Sequence, residues 1–409
     1  MSVSNYSKLL FGLILVFVLL TIAANYSSDP YGAFSNRIED RMHPASSFET
    51  NVRMAKSHVV RRVQPTSLIM GSSRAEIGLR PSHPGWNSTS VYNLGFPSSS
   101  FVEIAGFFEH ALSTTDVKQV VLALDLFQFN PKTDLLADYR SCRMFRLDRP
   151  NIFNAASALC DIPYLWLSIN GLESFVSNSL AKRKRGPTTY LENGGRGSKA
   201  KYAELQKLGS HDALFLASEE GYLEIDGLYG GLSEIENFSG YKVAAAFEKV
   251  LALAHEHDVD LRLLISPSHA RQWQLQKHLK IAKTMELWKR YLVVTNQTIA
   301  LEFGSEPFPL WDFANYNKFS EERVLGESEL LERMTWYWES SHYSHALGDL
   351  ALDQVLSGID RGLGPDISPL DSAGLNDWLS SIDAAERRYE AANHNDLRVL
   401  REKWSELIH

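Results

Sequence analysis

Short, unbroken apolar runs alternate with stretches of helical spacing through the middle of the chain. Pro65-Thr66-Ser67-Leu68-Ile69-Met70 ends at Gly71-Ser72-Ser73-Arg74, and Ser90-Val91-Tyr92-Asn93-Leu94-Gly95 ends in a turn. Gln119–Leu126 and Asp260–Pro267 repeat that pattern, whereas Phe101–Leu112 and Val243–His257 carry apolar residues at helical intervals. Apolar runs of about four to eight residues bounded by turn residues predict buried strands, and the periodic stretches predict helices. Strands that are apolar throughout are buried on both faces, so the expected fold is α/β, three layers with a central parallel sheet. Sites in such sheets lie at the carboxyl ends of the strands. Here those ends carry Ser72 and Ser73, Asn93 and Gly95, Asp125, and Ser268 and His269.

The first residues follow a different pattern. Leu9–Ala24 reads LLFGLILVFVLLTIAA, in which twelve of sixteen residues are Leu, Ile, Val or Phe. On the insertion scale these favour a membrane by about 5 kcal/mol. The uncharged run Leu9–Ser28 is long enough to span about 30 Å as a helix. Thr21-Ile22-Ala23 could serve as a cleavage site, but the run is at the long end for a signal peptide and reads as an uncleaved anchor. Lys8 precedes it and the next cation is Arg37, so the positive-inside rule places residues 29–409 outside the cytoplasm, periplasmic or at the cell surface.

Composition narrows the class. Apolar residues make up 44% and charged residues 22% of 409, which excludes a wholly disordered, collagen-like or coiled-coil chain, and only one stretch could cross a bilayer, which excludes a polytopic membrane protein. The formal charge of -8 gives no reason to expect a nucleic-acid partner. Cys142 and Cys160 are too few for a disulfide scaffold; they form either one bridge or two separate core residues. The expected organisation is an anchor over 1–28, a body over 29–365 with a loose insertion around 135–240, and a polar, helix-prone tail over 366–409. The basic cluster Ala181–Pro187 reads as a solvated loop, the sharper alternative being contact with an acidic polymer.

Two segments carry candidate chemistry. A serine just past a buried strand, where a helix opens, has its hydroxyl near free backbone N–H groups, which suits both a nucleophile and an oxyanion. Gly71-Ser72-Ser73-Arg74 has that form, and the plainer role for either serine is to cap the helix. In Trp338-Glu339-Ser340-Ser341-His342, a carboxylate three residues before a histidine can fold back and fix its tautomer. Glu339, His342 and His345 could alternatively share one helical face as metal ligands, although no H-E-x-x-H pattern is present. His255 and His257 point different ways on a helix, His269 at a strand end is a fallback base or substrate contact, and the Gly194–Lys199 stretch lacks phosphate-loop spacing.

In this order the blocks resemble the SGNH/GDSL hydrolase superfamily, and in particular its membrane-anchored branch, similar to the alginate O-acetylation proteins and the D-alanine transfer protein. The family's G-D-S block is matched by Gly71-Ser72-Ser73, which points to Ser73; its asparagine block by Asn93-Leu94-Gly95-Phe96-Pro97-Ser98; its D-x-x-H block by Glu339-Ser340-Ser341-His342. Glu339 replaces the aspartate, Ser98 stands where an oxyanion-hole glycine is expected, and the G-x-N-D block is not recognisable in Leu124–Asn130. Gly95, Ser98, Gln128 and Asn130 are the oxyanion-hole candidates, and Asp312 is an alternative carboxylate for His342.

The resemblance implies a serine-dependent O-acyltransferase or esterase acting on a cell-envelope or exported polysaccharide. Ser73 would be the nucleophile, His342 the base and Glu339 its orienting carboxylate, with no metal or cofactor and with acyl groups supplied by a multispanning membrane partner. Arg74 would be a structural ion pair or a contact for an anionic substrate. The rival is an SGNH-fold protein without turnover that binds glycan or scaffolds an export complex, and the separation of Ser73 from His342 discriminates between them.

Overall fold

The computed structural model describes residues 3–34, 48, 50–148, 158–168, 190–191, 193–224, 227–329, 332–364 and 369–407. They form two compact units, one of Met1–Gln64, Glu109–Asp116 and Ala137–Glu192, the other of Pro65–Phe108, Val117–Leu136 and Asn193–His409. The basic cluster at 181–187 lies outside the described residues.

The first unit begins with α1 (Val3–Ser28), whose 26 residues make it the one helix among those described that is long and apolar enough to cross a membrane. Its last turn is tied down: Asn25 Nδ2 donates to the carbonyls of Trp166 (3.2 Å) and Ser168 (2.9 Å). The helix α2 (Val52–Val63) contributes His58, which pairs with buried Asp161 at 2.8 Å. Arg143 Nε donates to both oxygens of the same carboxylate at 2.7 Å. Cys142 and Cys160, each one residue before a member of that ion pair, are joined in a disulfide with Cα atoms 6.0 Å apart.

The second unit is built on a five-stranded parallel sheet in the order β2-β1-β3-β4-β5. It runs β1 (Ser67–Ser72), α3 (Ser73–Gly78), β2 (Val91–Phe96), α4 (Phe101–Leu112, of which the residues from Glu109 count with the first unit) and β3 (Gln119–Leu124). Then follow α5 (Ser198–Leu208), α6 (His211–Leu223), α7 (Lys242–Glu256), β4 (Asp260–Ile265), α8 (Ala270–His278), α9 (Ala282–Glu302) and β5 (Leu310–Asp312). The helices α10 (His345–Ser357), α11 (Leu375–Ala392) and α12 (His394–Leu407) complete it.

The first three strands are buried at every position because alternate side chains enter different cores. Ile69, Val121 and Leu264 share one cluster with Leu347, Ala351 and Val355 of α10, which recur at helical intervals. Leu68, Met70, Val120 and Leu122 point to the opposite face and are equally buried, so both faces are covered. The α/β expectation and its four strands hold to within a residue or two at each end. The three-residue β5 has no periodic signal of its own and forms only against β4.

The segment expected as one loose insertion divides: residues from 193 onward belong with the sheet and include α5 and α6, while 137–192 belong to the other unit. The tail forms α11 and α12, and Trp404 of α12 is completely buried.

Candidate active site

The strand order reverses between β1 and β3, the switch point at which parallel sheets open a crevice. Both candidate serines stand there. Gly71 adopts φ +146°, and a Cβ at this position would lie 2.8 Å from the Ala123 carbonyl oxygen. Only glycine lets β1 make this turn so close to β3. Ser72 caps α3: its Oγ accepts from the Arg74 N–H at 3.1 Å and donates to Asp125 Oδ2 at 2.6 Å. Ser72 is therefore engaged and wholly buried, while Ser73 is half-buried and its hydroxyl is directed elsewhere.

That direction is toward His342. Ser73 Oγ lies 2.8 Å from His342 Nε2, and Glu339 Oε1 contacts His342 Nδ1. An ionised carboxylate only accepts, so Nδ1 carries the ring proton and Nε2 is left to accept from Ser73. A tight turn presents the histidine. The Trp338 N–H donates to the His342 carbonyl at 2.9 Å, and Tyr337 bridges Tyr343. Inside the turn, Glu339 accepts from the backbone N–H groups of Ser341 (2.8 Å) and His342 (3.1 Å). The Tyr337 hydroxyl and Ser340 secure it to Ser268 and Gln272.

Two residues of the supposed insertion complete the surroundings. Ser218 of α6 donates to Glu339 Oε2 at 2.6 Å, and Lys201 Nζ of α5 lies 4.0 Å from Glu339 Oε1. Sequence reasoning missed both, because α5 and α6 carry no periodic apolar stripe and neither residue falls in a motif. Burial pushes the Glu339 carboxyl up, but His342, Lys201 and Ser218 outweigh it and hold the group well below the usual carboxylate range. Burial holds the His342 imidazole below its ordinary value; Glu339 opposes this, while Lys201 and Arg74 reinforce it. A neutral imidazole with an accepting Nε2 can take a proton from Ser73.

The remaining candidates have other partners. Asp312, the alternative carboxylate, pairs with Lys289 at 2.6 Å and accepts from Trp378 Nε1 at 2.8 Å. Gln128 Oε1 accepts from the Asp125 N–H, and its Nε2 donates to Ser99. Asn130 Nδ2 donates to the carbonyls of Leu228 and Gly230. The Gly95 N–H donates to Asn93 Oδ1, whose Nδ2 in turn binds the carbonyls of Ala75 and Leu79. Ser98 differs. It holds φ +50°, and among the described residues its N–H has no hydrogen-bond partner. The register pairs Ser72 with Phe96, so Ser73 and Ser98 both lie just beyond the ends of paired neighbouring strands.

Arg74 is buried against Asp125 at 2.8 Å, an internal ion pair and not an open anion site. His345 opens α10, whereas Glu339 and His342 lie in the non-helical turn before it, so the three possible metal ligands do not share a helical face. His269 caps α8 through Nδ1 and its Nε2 meets the Glu322 carbonyl; His255 stacks on Phe308. Asn193–Arg196 runs beside β2, its Asn193 carbonyl accepting from the Asn93 N–H.

Fold and site together define a parallel α/β protein with a Ser–His–Glu array at the carboxyl edge of its sheet. No protein-family model matches the chain, and no curated protein matches it either.

Proposed function

We propose that the chain is a membrane-anchored, extracytoplasmic SGNH-like O-acyltransferase or esterase that acts on cell-envelope or exported polysaccharide. The Ser73–His342 hydrogen bond of 2.8 Å, with Glu339 on the far side of the ring, is the observation that carries this reading. Ser73 Oγ attacks the acyl carbonyl carbon while His342 Nε2 takes its proton. The developing oxyanion is met by the backbone N–H groups of Ser73 and Ser98. His342 then returns the proton to the departing alcohol oxygen, leaving an acyl group on Ser73. Attack on that ester by a sugar hydroxyl completes transfer, attack by water completes hydrolysis, and in both His342 accepts the incoming proton and returns it to Ser73.

The engagement of Gln128 and Asn130 leaves the oxyanion to backbone donors. Lack of a side-chain oxyanion donor typically costs about 100- to 1000-fold, so turnover on simple esters is expected to be slow. Anchoring rests on α1, and an extracytoplasmic body agrees with the cation asymmetry around α1 and with the Cys142–Cys160 disulfide. The family resemblance supplies the polysaccharide acceptor and a multispanning partner that delivers the acyl group.

The test is hydrolysis of a small acetyl ester by the purified full chain in detergent, beside Ser73→Ala and His342→Ala. Activity abolished in both variants supports a serine enzyme. Equal, partner-independent activity in all three sinks it, and folded protein that stays inert even with its acyl-donor partner transfers the reading to a glycan-binding scaffold.

A further inference from the structure

The segment that closes the end of α1 is itself built for a lipid surface. Leu9 to Asn25 rises about 24 Å along a helix, against a hydrocarbon core of about 30 Å. With the helix in a bilayer and Lys8 at one boundary, Asn25 comes to rest near the other. Its side chain is completely buried and donates to the carbonyls of Trp166 and Ser168, so these residues are carried to the same depth. An amide at that level needs such acceptors, because hydrocarbon offers none.

Around this contact the chain is apolar and aromatic. Phe34 lies between Tyr26 and Trp166, tilted against both, with ring centroids 5.2 and 4.8 Å apart, and the Tyr31 hydroxyl meets Ser168 Oγ at 3.1 Å. Leu159, Ile162 and Leu167 are exposed on the same stretch, Leu159 by 62%. The segment is also pinned at its start, since Cys160 is disulfide-bonded and Asp161 holds Arg143 and His58. Aromatic rings with a polar edge collect at the headgroup level, and short apolar helical turns lie there with one side in the acyl boundary.

We infer that residues 159–168 form a collar lying in the lipid interface, a second membrane contact that sets the first unit against the bilayer. It rests on α1 spanning the membrane, as proposed above. The occupant is the bilayer's headgroup–acyl boundary, committed by the hydrogen bonds that tie the collar to the boundary turn of α1.

The experiment uses the full chain in phosphatidylcholine nanodiscs, with an environment-sensitive fluorophore on Leu159→Cys, Leu167→Cys or, within α1, Leu15→Cys. Labelling without reductant leaves the Cys142–Cys160 bridge intact. Emission at 159 and 167 is expected to shift to the blue, to fall about twofold with brominated acyl chains, and to be shielded from iodide. Free quenching by iodide and none by bromolipid at 159 and 167, with the Leu15 probe quenched by bromolipid, overturns the collar and leaves the anchor standing. Failure of bromolipid to quench the Leu15 probe removes the anchor and the collar together.

Discussion

The Ser218 hydroxyl donates to Glu339 Oε2 at 2.6 Å, so the carboxylate that orients His342 is itself held by a helix far from it in sequence. Removing that donor frees one side of a buried charged group. Ser218→Ala is expected to cost about 1.5–3 kcal/mol of stability and to lower kcat about ten- to a hundredfold with little change in KM, because the imidazole loses its fixed direction. Steady-state kinetics beside urea unfolding check this. An unchanged kcat with lowered stability would reduce Ser218 to a packing role.

Gly348 in the first turn of α10 lies against Gly78 of α3, and a Cβ on Gly348 would overlap the Gly78 carbonyl. This close approach sets the distance between the helix that begins at Ser73 and the turn that carries His342. Gly348→Ala forces the two apart, with an expected cost of about 1–3 kcal/mol from overpacking. A displacement of about 1 Å at the reacting atoms would remove about two orders of magnitude from kcat. Full activity in the alanine variant would show that the contact does not set the site.

Much of this arrangement is legible in the residue pattern. The apolar runs locate the strands because parallel strands are buried throughout, and the strand ends then place Ser73 and Asn93. The three-residue spacing of Glu339 and His342 foretells their contact, because the turn is local. Long-range choices are not legible. Local residue pattern alone does not say that Ser72 caps and Ser73 faces the histidine, a choice the sequence makes only through its resemblance to the G-D-S block, since the arrangement depends on Asp125 fifty-three residues away. Asp312 stays an alternative to Glu339 as the partner of His342 until Lys289 and Trp378 are seen to hold it. Lys201 and Ser218 lie on helices whose weak apolar patterning hides their docking against the site.

The buried histidines give the chain a pH dependence of definite sign. Burial depresses His269 to about 3 and also lowers His342, against an ordinary value near 6.5. Unfolded chains therefore take up these protons first, so stability is full above about pH 6.5 and declines as pH falls from there. Glu339 adds to the decline only in stronger acid: its stabilisation is full above the ordinary carboxylate range and is lost progressively as pH falls from there through its depressed folded value. Esterase activity should show an acid limb below about pH 6.5 that reports His342. Lys201→Met removes one of the charges that disfavour the imidazolium, so that limb should move to higher pH. A shift to lower pH would contradict the assigned geometry of Lys201.

Trp404 joins the tail to the same helix that holds Glu339. It is fully buried, and its Nε1 donates to Glu219 Oε2 at 2.9 Å, beside Ser218 on α6. Burial raises the Glu219 carboxyl, while Arg271 and Trp404 oppose the shift. Trp404→Ala opens a cavity worth about 3–5 kcal/mol and withdraws a donor from a buried carboxylate. Trp404→Phe refills most of the space but not the hydrogen bond, and should recover the larger part of the stability. If α6 transmits the tail's docking to Glu339, both variants lose kcat, the alanine more than the phenylalanine, and Ser218→Ala adds little further loss in the Trp404→Ala background. Additive effects of Ser218→Ala and Trp404→Ala on kcat would instead make the tail a support for the fold, independent of the carboxylate's position.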